Sequence, residues 1–363
     1  MTDVLVVGAG LAGLTAAEAL VRAGLSVEVV EARSRVGGRI MTVPTEGNSA
    51  GWLDLGATWH WSDQPAVAEL GAELGVASFP QFAEGVGLVE EIEGEARAVE
   101  VPPPPASELR FVGGAAQLCE RLAERLPAGA LLLGHDVHGL ARDGEVVAAT
   151  VFDSEGIEST RSASFAIVTV PPRLVLQGIE LTPALPDEVV AVMEATATWM
   201  AYALKVVATY ESPFWRAQGR SGYAYSHVGP VREVHDASTD DGAVGALWGF
   251  LAGDDELRIM EPAERTPLVL AHLGRLFGPE AADPAQYVER DWSNDPYTRE
   301  QPRPFWDELL DYGHPALASP LWGGRLVWAG AETEGPGGGH MEGAVRSGRR
   351  AADQVRRAAG LSR

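Results

Sequence analysis

Gly8-Ala9-Gly10-Leu11-Ala12-Gly13 follows an apolar run at 4–7, opens a helix-forming stretch at 14–23, and precedes a second apolar run at 27–30 that ends in Glu31. Strand, glycine turn, helix, strand and acidic residue, in that order, form the context that a dinucleotide-binding fingerprint requires. Gly8 permits the tight turn, Gly10 lets backbone approach a pyrophosphate, and Gly13 brings helix and strand together. The phosphates would lie at the helix N-terminus, where free N–H groups and the helix dipole favour negative charge. Glu31 stands where a carboxylate would bind ribose hydroxyls. NAD and FAD proteins share this fingerprint, so the nucleotide stays open at this point. The neighbouring Gly37-Gly38-Arg39 allows a second close approach to a pyrophosphate, which suits an extended flavin dinucleotide. A lysine, Lys205, interrupts the apolar strand-like run 202–210; alternation alone would set it on a solvated face.

These residues need a scaffold. A chain of 363 residues is comfortable for two domains. The apolar fraction of 46% with 22% charged residues describes a globular protein, and the formal charge of -23 argues against nucleic acid and anionic membranes as partners. No segment approaches the roughly 20 apolar residues that span a bilayer. The start of the chain lacks a basic n-region, so no signal peptide is expected, and its end lacks an apolar anchor. One cysteine, Cys119, excludes an internal disulfide and fits a reducing cytoplasm. No metal site is expected.

Along the chain, 52–61 reads as a buried aromatic loop, 65–74 as a helix, and 86–101 as two short strands. Pro102-Pro103-Pro104-Pro105 reads as an extended spacer between domains. Helices are expected from Gly113-Gly114 through 126, over 267–277 and over 341–358, with strands at 165–170, 201–210, 246–251 and 325–329. The expected fold is α/β: a Rossmann-like nucleotide domain of 1–78, 111–178 and 321–363, with a mixed-sheet α+β substrate domain of 79–110 and 179–320 inserted in it.

The chain resembles the flavin-containing amine oxidase family, through residues 4–13, 31–39, 54–59, 113–126, 168–172, 205–215 and 328–352. The resemblance implies FAD bound through Gly8, Ala9, Gly10, Gly13, Glu31, Ala32, Arg33, Gly38 and Arg39. Gly56, Ala57, Thr58 and Trp59 would line the isoalloxazine, and the Val137 backbone would meet the adenine. Trp292 and Glu332 would complete the site, and Met341 would offer its N–H to the flavin pyrimidine edge. Lys205 takes the place of the lysine that holds a water against flavin N5. His60, Trp61, Trp248 and His340 are the candidates for substrate contact, with His340 also a candidate base. The segment 293–302 holds no cysteine, so FAD is expected to be non-covalent.

The implied reaction passes a hydride equivalent from an amine to flavin, hydrolyses the imine to an aldehyde or ketone, and reoxidises the flavin with O2 to give H2O2. Two departures bear on substrate. His340 replaces one aromatic of the family's cage, and the other position falls near Pro302. The region between Trp61 and Phe111 is short, implying an open site or one completed by a partner subunit, as in a homodimer. The alternatives are a desaturase or dehydrogenase of a specialised metabolite or amino acid, a NAD(P)-dependent dehydrogenase, and a flavin-binding module without catalysis.

Overall fold

The computed structural model describes residues 1–46, 48–100, 107–252, 255–300 and 311–361. The four prolines at 102–105 and the position near Pro302 lie outside these.

The first sheet grows around Thr2–Val7, whose apolar residues from Val4 to Val7 are buried. Val27–Glu31 pairs with it in parallel on one side and the C-terminal half of Glu158–Val168 on the other. Leu131–Leu133 extends the parallel set beyond Val27–Glu31, and Leu326–Trp328 joins beside Glu158–Val168. Continuous apolar runs are what such strands need, because helices cover the faces of a parallel sheet. The other half of Glu158–Val168 continues as an antiparallel meander with Val146–Phe152 and Asp136–Asp143.

Helix Leu11–Arg22 is buried around most of its circumference, and Gly24, at φ 85°, ends it in the left-handed conformation that glycine tolerates. It packs against the last helix, Met341–Ala358, so closely that a Cβ on Gly348 would meet the Ala12 carbonyl oxygen at 2.5 Å. Leu14, Leu20, Leu118 and Val345 are almost wholly buried between these helices, Ala116–Glu124 and the sheet. Each such leucine contributes roughly 1.5–3 kcal/mol.

The second sheet runs in the order Gln286–Asp291, Leu204–Tyr210, Gly245–Leu251, Val231–Asp236, Arg220–Ser226, Val86–Glu90, Ala96–Val99. Helix Pro262–Phe277 covers the face bearing Leu204, Val206, Ala208 and Tyr210. The opposite face, bearing Lys205 and Val207, is covered by Leu53 and Leu55. Both faces of the lysine strand are thus dry, and the solvated position that alternation favours for Lys205 does not exist.

Other expectations shift. The aromatic segment 52–61 is not a loop: Asn48–Asp54 and Trp59–Trp61 are strands around a turn at 55–58. The 201–210 strand begins only at Leu204, after a 3-10 turn at Trp199–Tyr202. The expected boundary at 178 falls early, because Glu180–Thr182 is an edge strand of the first sheet and Val189 and Met193 of Asp187–Ala195 join its core, as does Leu317.

Candidate active site

A cleft of about 390 Å³ opens at the C-terminal ends of Thr2–Val7, Val27–Glu31 and Glu158–Val168, where parallel sheets hold their ligands. Gly8, at φ 104°, makes the turn. A Cβ there would meet Thr169 Oγ1 at 2.4 Å, and one on Gly13 would meet the Gly8 carbonyl oxygen at 2.0 Å. Gly10 is different: the nearest atom to a Cβ would be Gly37 O, at 3.9 Å, so its open side faces the cleft. Gly10 also caps Leu11–Arg22 without a side-chain hydrogen bond, leaving the helix N–H groups to a ligand.

Glu31 is buried; its Oε2 accepts from Ala9 N at 2.7 Å and its Oε1 from Arg33 N at 2.9 Å. Each carboxylate oxygen keeps further acceptor capacity for hydroxyls. Ala32, Arg33, Gly38, Ala57 and Val137 line the same cleft. Arg33 is tethered, donating to Asp295 Oδ1 at 2.5 Å and to Thr298 Oγ1 at 3.0 Å.

Arg39 reaches across the cleft wall to Glu332, donating through both terminal nitrogens, and Thr198 Oγ1 donates to the same carboxylate at 2.6 Å. Burial works against both charges, but each offsets it for the other: Arg39 is held above its usual pKa and Glu332 below. At the far end the last helix presents Met341 beside His340, its N-cap, again without a side-chain cap. Two uncapped helix N-termini with a carboxylate near one of them suit a long anionic ligand bearing ribose hydroxyls, such as FAD.

Lys205 lies beyond the cleft lining, 2% exposed. Its Nζ donates to Gly56 O at 3.1 Å and to Thr58 Oγ1, and sits 4.2 Å from the centre of the Trp248 ring. Burial pushes its pKa down to about 7. Gly56 is obligatory here, since a Cβ would approach Arg39 O to 2.1 Å. Trp59 donates to Gln81 Oε1 at 2.8 Å and its ring centre is 4.7 Å from that of Trp248. Trp292 is wholly buried and donates to Leu55 O at 2.9 Å.

The substrate candidates divide. Trp61 packs edge-on to His340 at 5.1 Å, and His340 is exposed on the cleft. His60 does not reach it: alternation along Trp59–Trp61 turns its ring away, where it stacks on Phe111 at 4.5 Å and meets Ser78 Oγ at 3.0 Å. His60 is therefore withdrawn as a substrate contact; it is a core residue. Burial pushes its pKa down to about 4. It stays neutral in the fold while an unfolded histidine takes a proton below about 6.5, so its contribution is present above that pH and is lost as pH falls towards 4. A His60→Gln variant is expected to lose part of the fall in Tm between those values; equal slopes in both proteins would refute this.

Sequence reading missed Thr169, Trp199 and Tyr297. Trp199 Nε1 donates to Gly339 O at 3.3 Å, and the Tyr312 ring lies against the Gly338–Gly339 backbone. Aromatic rings therefore do surround the His340 segment, from positions other than the two expected. No cluster able to hold a metal occurs among the described residues, and none of their helices is long and apolar enough to cross a membrane.

The family model for flavin-containing amine oxidoreductases matches residues 11–91 and 86–356. A probable flavin-containing monoamine oxidase A of Dictyostelium discoideum is 27% identical, the alignment covering 98% of this chain and 97% of that one. Putrescine oxidase of Kocuria rosea is also 27% identical, covering 99% and 96%. A solved structure of wild-type putrescine oxidase bound to putrescine superposes with a TM-score of 0.81 at 26% identity, covering 98% of each chain. The alignment with the Dictyostelium protein runs over 465 positions against 363 residues here, so that relative carries segments this chain lacks. The cleft, the buried lysine and the end-to-end match have one reading: the chain belongs to the flavin-containing amine oxidoreductase family and is an FAD-dependent oxidoreductase acting on amines.

Proposed function

We propose that the protein is an oxidase that converts an amine to an imine, then an aldehyde or ketone, with O2 as electron acceptor. The observation that carries this is Lys205, a buried cation bonded to Gly56 and Thr58, the residues on either side of Ala57, which lines the cleft. The two-electron chemistry is supplied by bound FAD: the amine loses a hydride equivalent and a proton, water hydrolyses the imine, and oxygen leaves as H2O2. Gly8, Gly10 and the first helix would hold the pyrophosphate, Glu31 a ribose, and Met341 the far end of the cofactor. No covalent tether is proposed, as Cys119 is buried in the helical core. The cofactor domain would comprise 1–78, 111–195 and the last segment from about Pro315, the substrate domain the rest.

Register favours substrates with a second cation. Lys205 and Glu233 each stand directly opposite Phe250, on either side of its strand, so all three share one sheet face. Two strand spacings separate Lys205 from Glu233, about 10 Å. Phe250, Trp248 and Trp199 make an aromatic wall between. Glu233 accepts from His235 Nε2 at 2.8 Å if that nitrogen bears the proton; this bond keeps its carboxyl below the usual range against the opposing effect of burial. An aliphatic diamine fits that span, and the putrescine-bound relative points the same way.

The test is peroxide release from 1,4-diaminobutane and from butylamine. The unmodified enzyme is expected to prefer the diamine in kcat/KM, and Glu233→Gln to reduce that preference about tenfold. An unchanged ratio would remove Glu233 as the specificity residue; no peroxide from any amine would remove the oxidase reading.

A further inference from the structure

The last helix, Met341–Ala358, begins with two residues already placed on the cleft, His340 as its N-cap and Met341. The next, Glu342, takes no part in the site described above. It is 3% exposed, and a buried carboxylate needs hydrogen-bond donors. Its donors come from far back in the chain: Oε1 accepts from Ala66 N at 3.3 Å and Oε2 from Val67 N at 2.9 Å. These are the two N–H groups in the first turn of helix Pro65–Leu74 that need an outside partner. Pro65, at the first position, has no N–H, and Ala68 N already donates to Gln64 O at 3.4 Å. That helix has no side-chain cap of its own and no acidic residue in its first turn. Glu342 supplies both while standing in the first turn of Met341–Ala358, so one carboxylate meets the positive ends of two helices.

The segments on either side of this contact both lead to the cleft. Gly337 packs on the Glu342 stem, so closely that a Cβ there would meet Glu342 Cγ at 2.6 Å, and its carbonyl accepts from Gly343 N at 2.9 Å. On the other side, the chain entering Pro65–Leu74 is tied to Trp61. Gln64 N donates to Trp61 O at 2.9 Å, and Trp61 N to Gln64 Oε1 at 3.4 Å. The Trp61 ring closes the circuit on His340, edge-on at 5.1 Å. Arg346 Nη1, 3.9 Å from Glu342 Oε1 on a half-exposed side chain, adds little. We propose that Glu342 is a positioning residue: its carboxylate clamps the starts of the two helices together and so fixes the Trp61 ring against His340. The alternative is that Glu342 does no more than cap Pro65–Leu74 and steady the fold.

Glu342→Gln keeps the size, but an amide offers one acceptor to two donors and turns its NH2 towards the other. Holoprotein grown on histidine labelled with carbon-13 at Cε1 reads the geometry without turnover, because the Trp61 ring current displaces the His340 signal. His340→Gln identifies that signal by its loss, and Trp61→Leu gives its position with the ring removed. Glu342→Gln, read well below its Tm, is expected to move the signal at least halfway towards the Trp61→Leu position. A signal unmoved from its place in the unmodified protein overturns the proposal; a lower Tm alone is what the capping role gives. Should Glu342→Gln not fold, Gln64→Asp added to it supplies a local cap for the same two N–H groups and no clamp. Read against Gln64→Asp alone, the double variant is expected to show the same displacement, and no displacement overturns the proposal. The inference rests on the proposed function only for its consequence, a kcat/KM for 1,4-diaminobutane about tenfold lower, mostly through KM. Absence of amine oxidation would leave the His340 signal and its outcome intact.

Discussion

Lys205→Met is expected to slow reoxidation of the reduced enzyme by oxygen about 10²-fold and to leave the flavin bound. The reason is charge. Reduction of O2 develops negative charge, and a fixed cation in a water-poor site stabilises it far more than the same cation would in solvent. The Lys205 ammonium is 2% exposed, bonded only to uncharged oxygens and backed by the Trp248 ring, so its charge is not cancelled by a carboxylate in direct contact. Methionine keeps the length and removes the charge. Burial pushes the lysine down to about 7, so the cation is lost as pH rises through neutrality. Reoxidation by the unmodified enzyme is therefore expected to slow as pH rises past about 7, while the methionine variant stays flat. Stopped-flow reoxidation across that range reads both; equal rate constants and equal pH profiles would take Lys205 out of the oxygen step.

How much of this was legible in the sequence depends on how local each feature is. The glycine turn, Glu31 and the last helix are each written in a short window, and the fold sets them where the pattern implies. Lys205 shows the limit. Its strand alternates in a way that allows a wet face, and only the packing of Leu53 and Leu55 on one side and helix Pro262–Phe277 on the other makes it dry. The one composition signal that could have flagged it, a single lysine among 27 arginines, is global rather than local. The Arg39–Glu332–Thr198 link joins residues 293 and 134 positions apart, and no periodicity announces such a contact. The aromatic surroundings of His340 are non-local too: the two expected positions are His340 itself and one near Pro302, whereas Trp61, Trp199 and Tyr312 arrive from a strand, a 3-10 turn and a loop. His60 erred in the other direction, since a histidine between two tryptophans is turned inward by the strand that carries all three.

Gly13→Ala and Gly10→Ala are both expected to weaken flavin binding, by different physical routes. At Gly13 the new methyl would lie 2.0 Å from Gly8 O and 3.2 Å from Gly8 C, which are backbone atoms of the turn itself. Relief requires the helix Leu11–Arg22 to move off its strand, and the overpacking costs about 1–3 kcal/mol or more. Flavin content and the Tm of the flavin-free protein should fall together. At Gly10 the methyl meets nothing nearer than Gly37 O at 3.9 Å, and the N-cap backbone, at φ -73°, is one that alanine adopts, so the flavin-free protein takes no clash. What it occupies is the space beside the uncapped helix N-terminus, where the pyrophosphate would lie. Flavin affinity should fall at least tenfold, about 1.4 kcal/mol, with the Tm of the flavin-free protein unchanged. The pair separates the packing glycine from the ligand glycine within a single turn. If Gly10→Ala keeps full flavin affinity, the pyrophosphate lies elsewhere and the cofactor orientation proposed for the cleft fails with it.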